Sequence, residues 1–366
     1  MKDDRIKFDR NTPFQRALRD EVDAYFKANN LDPKGGAALA RKAAFIIGWF
    51  LVSYAFSISG VLGTAGLFIG AVITGLAHAA IGFDIMHDGN HGAFSTSKAV
   101  NRWMGRTLDM VGGSSYLWRH KHNVMHHTYP NVVGTDDDID VGGLARLAPE
   151  QPHYAAHRLQ HLYMWGLYGL ISVKWNFYDD FAQVAKGQIF TSKVPRPKGE
   201  EMVWFVIGKI IHFGWALVLP IALFGWGLGI AFYLVEAVVL GVTLAVVFQL
   251  AHCVEEADFT ELPEGTVTEL DFAKHQLATT VDFARDNKLV TWFLGGLNFQ
   301  AIHHLFPKIS HVHYPALSPI VERVCAEHGV AYRLNGGFME ALGSHYRWLK
   351  RMSIPPVAVP VVKPAL

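Results

Sequence analysis

The chain reads as an all-α integral membrane protein, with four transmembrane helices in two hairpins and a cytosolic helical cap that holds a metal site. Three observations predict this. Four apolar stretches, near 43–62, 65–86, 203–223 and 228–250, each approach the ~20 apolar residues needed to cross hydrocarbon. The linkers inside each pair, around 60–66 and 224–229, are short, glycine-rich and uncharged. Histidine clusters follow the second and fourth stretches and recur in the loop between the pairs.

Composition agrees. Apolar residues make up 51% of the 366 and charged residues only 18%, below the ~25% charged content usual for soluble domains. The net charge of +1 and the lack of a dense Lys/Arg tract exclude the electrostatic footprint of a nucleic-acid binder. The two cysteines, Cys253 and Cys325, follow no zinc, redox-pair or disulfide spacing and read as reduced, structural thiols. The charged start, MKDDRIKFDR, lacks the order of a cleaved signal peptide and is expected to remain in the mature protein.

Charge placement sets the orientation. No Lys or Arg lies between Lys42 and Lys98 or between Lys209 and Lys274, so the basic residues outside the spans fall on one side, which the positive-inside rule makes cytoplasmic. Both termini and all three histidine clusters then share that face.

The first segment, 1–42, carries a helix start at Asn11, Thr12 and Pro13, then Phe14, Leu18, Val22, Tyr25 and Phe26 at helical spacing. This predicts an amphipathic helix lying on the membrane surface. The membrane domain covers 43–350. Within it, 159–171 is apolar but short and holds His161, which suits a re-entrant or interfacial helix. Lys209 is expected to snorkel to the interface, and Glu236 to pack between helices. The tail, 351–366, is proline-rich and expected to be extended or disordered.

The histidines carry the chemistry. Neutral imidazole is the commonest side-chain metal ligand. His87 and His91, four apart in HDGNH, share a helix face about one turn apart, with Asp84 and Asp88 as candidate acceptors for their ring N–H groups. Ser114 and Ser115 start a second helix bearing His120, His122, His126 and His127. At about 100° per residue, His122 and His126 face one way and His127 turns towards His120. His120 reads as a hydrogen-bonding neighbour of a ligand or a polar surface residue, and the nearby Asp136, Asp137, Asp138 and Asp140 as a solvated loop, with support of the histidine helix as the alternative. In QAIHH, Gln300 lies a turn before His303 and His304, as a weak ligand or the partner of a coordinated water. His252, at the end of the fourth stretch, is too deep to be idle and is added as an eighth ligand, with Glu255 and Glu256 as possible supporting groups. Because one zinc ion takes about four ligands, so many donors point to two metal ions, with iron as the metal. His78, His153, His157, His161, His212, His311 and His313 lack cluster spacing and read as structural.

Boxes of the form HxxxH, HxxxHH and QxxHH, in that order on a four-span frame, resemble the membrane fatty acid desaturase family. The similarity runs from the first span through HHLFPKISHVHYPAL and beyond. Gln300 in place of a first histidine resembles the front-end group that includes linoleoyl-CoA desaturases, and WRHKHNVMHHTYPN resembles its bacterial members. The resemblance implies a mushroom-like helical fold, two non-haem irons held by His87, His91, His122, His126, His127, His303 and His304, and an acyl chain in a bent apolar tunnel. It also matches His252 to an extra histidine in structurally known acyl-CoA desaturases. Two departures stand out. Phe248 occupies the position where those proteins place a water-holding asparagine, leaving Gln249 or Gln300 as the substitute. The HPGG motif of a fused cytochrome b5 domain does not occur, so reducing equivalents are expected from a separate donor such as a ferredoxin, cytochrome b5 or a reductase-like protein.

The expected reaction is insertion of a cis double bond into a long acyl chain, on CoA or a lipid. An unactivated methylene yields hydrogen only to an oxidant stronger than any side chain, hence a redox metal and O₂. Bond position would follow from tunnel depth. Arg119, Lys121, Lys174 and Trp175 are candidate headgroup contacts on the cytoplasmic side. The rivals are a di-iron acyl or alkyl hydroxylase, which shares the cage, and a non-enzymatic haem or metal-transport protein. Adjacent histidine pairs suit haem poorly, and a transporter would place its ligands near mid-membrane.

Overall fold

The computed structural model describes residues 6–260 and 268–356. It is mostly helical, and three helical stretches are long and apolar enough to cross a membrane: Gly36–Ile58, Gly63–His91 and Glu200–His252. The first begins before the apolar run, carrying Arg41 and Lys42 within its opening turns. It turns back at Leu62, whose φ of 65° is left-handed, and the helix from Gly63 packs along it, with Thr74 Oγ1 donating to Ser53 Oγ at 3.1 Å.

The third stretch holds 53 residues. As one straight helix it would reach about 80 Å, well over twice the ~30 Å hydrocarbon thickness. It does not run straight. Gly225 has φ 79° and ψ 169°, a backbone region open essentially to glycine alone. A Cβ on Gly229 would fall 2.6 Å from Ile221 Cα. The rings of His212 and Tyr233 lie 6.2 Å apart, whereas 21 residues of straight helix would separate them by about 30 Å. The chain therefore doubles back inside the uncharged 224–229 segment. The returning arm meets the Gly63–Ala80 helix, where the missing side chain of Gly75 leaves room for Glu236 O and Val239.

The cap is built from the remaining helices. Thr12 caps the Pro13–Ala28 helix, accepting from Gln15 N at 3.2 Å, and Pro13 supplies the fixed φ that suits a first turn. Its apolar stripe, Phe14, Leu18, Val22 and Phe26, is buried against Leu317, Val321 and Val324 of the Tyr314–Glu327 helix. The stripe predicted for the membrane surface thus packs on protein, because amphipathic spacing reports a buried face without naming what buries it. Three two-stranded pairings break the all-α description: Ile6–Asp9 with Thr268–Asp271, Gln188–Ile189 with Ser192–Lys193, and Asp282–Phe283 with Leu334–Asn335. The predicted tail lies largely outside the described residues, beyond the Phe338–Met352 helix.

Lys209 does not snorkel. It is 6% exposed, and its Nζ donates to Gly112 O at 2.5 Å and pairs with Asp180 Oδ2 at 2.7 Å. Asp180 also accepts from Trp175 Nε1 at 2.9 Å. Glu236 is a packing residue with a partner, His78, at 2.7 Å. Removing one member of a buried ion pair strands the other charge, at a cost of about 3–5 kcal/mol, whereas an apolar replacement of both is nearly neutral. Lys209→Ala should lower the unfolding temperature of the detergent-solubilised protein sharply, and Lys209→Met with Asp180→Leu should recover much of the loss. Equal unfolding temperatures for Lys209→Ala and wild type would show that the pair does not hold the cap loop to the span.

Candidate metal centre

The Gly63–Ala80 helix passes through a π-helical segment, Ile81–Met86, into the short helix His87–His91. Box one is thereby carried on a rigid extension of a span. The second box starts as expected, with Ser114 Oγ accepting from Leu117 N at 3.4 Å. After Trp118, however, the chain becomes π-helical over Arg119–His126. His127 N donates to His122 O at 2.9 Å, an i to i+5 bond that brings those two residues onto one side.

This overturns the predicted faces. His127 lies beside His122, their Nε2 atoms 3.2 Å apart, and not beside His120, which packs on the Tyr116 ring at 4.7 Å. His122 and His126 remain neighbours, with ring centroids 5.3 Å apart, and share a donor group with Asp138, yet each also joins a different all-histidine group. His87, His91, His122 and His303 offer ligand atoms within 4.8 Å of one another, as do His126, His252 and His304. His127 bridges, forming a third such group with His303 and His304. All eight predicted histidines are brought together.

The outward nitrogens are tethered. His126 Nδ1 donates to Asp136 Oδ2 at 3.1 Å, His252 Nδ1 to Thr279 O at 3.1 Å, His304 Nδ1 to Gln276 Oε1 at 2.8 Å, and His303 Nδ1 to Tyr314 Oη at 3.3 Å. Such bonds fix tautomer and ring direction and leave Nε2 with its lone pair inward. Nε2 of His91, His126 and His303, both ring nitrogens of His87, and Nδ1 of His127 are buried without a hydrogen-bond partner. An orphaned buried polar atom is costly, and metal ions taking the nitrogens that face the donor groups would satisfy several of them. Burial, reinforced by the neighbouring imidazoles, pushes His122, His127, His303 and His304 well below the ordinary histidine value. They are neutral donors at physiological pH. The residues therefore fit a metal held by imidazole, a ligand type that suits iron among other transition metals.

The supporting residues differ in part from those predicted. Asp136, in the run read as a solvated loop, is 1% exposed and also accepts from Asn131 N at 3.0 Å. Asp88 reaches His87 Nδ1 only at 3.7 Å; its closer partners are Ser310 Oγ at 2.7 Å and His311 Nδ1 at 3.0 Å. Asp84 pairs with Lys42. Glu255 and Glu256 face away from the cage, towards Arg347 and Ser344. Gln300, and not Gln249, reaches the cage: its Nε2 lies 2.9 Å from His252 Nε2 and 3.3 Å from His304 Nε2. Gln276, Thr279 and Tyr314 were missed, since a bond from one imidazole to a group 11 to 28 residues away on another element leaves no spacing signal. Two aromatic rings flank the cage. Trp118 stacks on His122 at 4.3 Å, and Phe248 stacks on His252 at 4.8 Å.

The predicted headgroup contacts all have partners inside the protein. Arg119 pairs with Glu201 at 2.8 Å, Lys121 with Asp138 at 2.8 Å, Lys174 with Asp179 at 2.6 Å, and Trp175 donates to Asp180. The close packing of the donor groups also leaves no slot for a porphyrin between facing helices.

Membrane-length helices that end in a cage of imidazole donors define the class, a membrane protein with a candidate metal centre. Comparison with known proteins narrows the class. A family model described as fatty acid desaturase matches residues 61–336. The sn-1 linoleoyl-lipid 6-desaturase of Arthrospira platensis is 36% identical over 360 residues, covering 96% of each chain. Its counterpart in Synechocystis is 38% identical over 355 residues, covering 95% of this chain and 98% of that one. The acyl-lipid (8-3)-desaturase of Physcomitrium patens is 37% identical over 352 residues, covering 94% and 72%. The chain belongs to the fatty acid desaturase family.

Groups that orient a ligating imidazole are worth about 10–100-fold in metal affinity. Asp136→Asn should weaken iron retention by that order, measured as iron per chain against a graded chelator. Retention equal to wild type would remove Asp136 from the centre's support.

Proposed function

We propose that the chain desaturates a long acyl chain esterified to a membrane lipid, at two irons held by the eight histidines. His87, His91, His122 and His303 would hold one iron; His126, His252 and His304 would hold the other, and His127 would serve the space between them. The lipid-linked substrate is favoured over acyl-CoA by the names of the relatives, which are linoleoyl-lipid and acyl-lipid desaturases. The observation that carries the proposal is the convergence of eight imidazoles, seven of them buried, into linked donor groups, with the outer nitrogens of His126, His252, His303 and His304 tied down.

When bound, the irons supply the one-electron chemistry with O₂ that no side chain offers. The chain's own residues do the rest. Asp136, Gln276, Thr279 and Tyr314 keep the ring N–H groups pointing outward. Gln300 lies against the lone pairs of His252 and His304; with its amide turned over, Oε1 presents to the same space, making it the substitute for the family's asparagine. Trp118 and Phe248 cover the two sides of the cage, exclude water, and offer flat apolar walls to passing methylenes.

The same reading places the protein in the bilayer with four spans in two hairpins, reversing at 59–62 and at Gly225. The cage, the cap and both termini lie on the cytoplasmic side, as the basic residues direct. Losing two hydrogens releases two electrons and two protons, and reducing O₂ to two waters takes four of each. A separate donor therefore supplies two electrons for every double bond.

Expression of wild type and His303→Ala in a host with a defined acyl pool tests this. Wild type should yield a new alkene, two hydrogens lighter than its precursor, and His303→Ala at least a hundredfold less, the cost of losing a ligand exceeding that of losing its support. A product heavier by one oxygen would replace the desaturase with a hydroxylase.

A further inference from the structure

Between Asp180 and Glu200 the chain carries Lys186, Lys193, Arg196 and Lys198 and no acidic residue. All four are exposed. The carboxylates on either side are already engaged: Asp179 by Lys174, Asp180 by Lys209, Glu200 by Arg102, and Glu201 by Arg106 and Arg119. Among the described residues none of the four positive charges makes an ion pair, although the acidic run at 136–140, itself paired in part with Lys121 and His126, lies nearby. The four lie on and beside the small hairpin formed by Gln188–Ile189 and Ser192–Lys193, whose position is fixed from below. Ile189 and Val194 are buried against Leu117 and Met125. Tyr116 Oη donates to Pro195 O at 2.8 Å, and Thr191 Oγ1 to Gly134 O at 3.4 Å. Met125 adjoins His126 in the chain. The hairpin is thus packed on the segment that carries His122, His126 and His127.

We propose that the basic face of this hairpin docks an acidic one-electron carrier protein, which delivers the two electrons that the desaturation balance requires. The proposal rests on the desaturase reading. Each docking event oxidises the carrier by one electron; two events, with two protons from water, complete the reduction of O₂ to two waters. A positive patch raises the encounter rate of a negative partner, and salt screens it. An anionic bilayer surface would also be drawn to such charge, but it would gain nothing from a patch anchored on the histidine helix. An electron carrier would, because the route inward is short.

The test uses the full-length, iron-loaded protein in discs of neutral phosphatidylcholine that contain the acyl-lipid substrate. The probe is a reduced, acidic [2Fe–2S] ferredoxin. Wild type should oxidise it at a rate that falls steeply with salt. The combined Lys186→Glu, Lys193→Glu and Lys198→Glu variant should be about tenfold or more slower, with a flattened salt dependence. The corresponding Gln variant should lie between, and it carries the comparison if charge reversal disturbs the fold. After chemical reduction with dithionite, a single turnover should give the same alkene yield in wild type and variants. Ferredoxin oxidation by the variants at the wild-type rate and salt slope would overturn the proposal. A difference confined to discs containing phosphatidylglycerol would assign the face to lipid instead. No alkene from dithionite-reduced wild type would defeat the underlying desaturase reading, and is distinguishable because it does not involve the carrier.

Discussion

Everything at the centre depends on keeping eight imidazoles, seven buried and His122 partly so, aimed at one another. An imidazole can turn either nitrogen inward and can take up a proton, and both freedoms are ruinous to a metal cage. Burial opposes the second at His122, His127, His303 and His304, because a charged ring among other rings lacks water and has unfavourable neighbours. The outward hydrogen bonds remove the first. Asp136, Gln276, the Thr279 carbonyl and Tyr314 each fix one ring, and they come from three separate places in the chain, Gln276 and Thr279 sharing the Phe272–Thr279 helix. The cage is consequently a property of the assembled cap and not of any one helix.

That dependence explains the π-helical segments. A regular α-helix at box two would send His126 and His127 in directions 100° apart with His127 near His120. Widening the turn returns His127 to His122 while His126 points to the second donor group. One short helix can then serve both groups. The segment Ile81–Met86 likewise precedes His87 directly. Such segments cost regular hydrogen bonding and recur at functional sites.

The sequence disclosed what local periodicity can encode. The apolar runs, the reversal near Gly225 and the membership of all eight histidines were legible, because hydropathy and clustered donors are properties of a window of residues. The face of His127 was not, since a turn of irregular width looks like any other until tertiary contacts select it. Lys209 was misjudged for a related reason: nothing near it in the chain marks Asp180, 29 residues earlier, as its partner. The Pro13–Ala28 stripe shows a third limit, in that protein and lipid bury the same spacing equally well. Gln300 was singled out by position within its box, but its contact with His252 depends on two segments 48 residues apart.

One remaining arrangement shows how the cap is held at the depth the cage requires. His87, His91 and His252 belong to helices of the spans, whereas His303 and His304 come from the cap. A shift of either body by an ångström would separate the donor groups. Beneath box one, Lys42 pairs with Asp84, linking the first two apolar helices. One turn further along, Asp88 takes Ser310 Oγ and His311 Nδ1 from the cap, and His311 also lies 3.2 Å from Lys42 Nζ. These groups are buried or nearly so, where charge pairing is strong but only when every member is present. The network therefore acts as a register mark. It favours the one docking of cap on spans that brings His303 to His87, their rings 4.5 Å apart, and any other docking strands a carboxylate in an apolar setting.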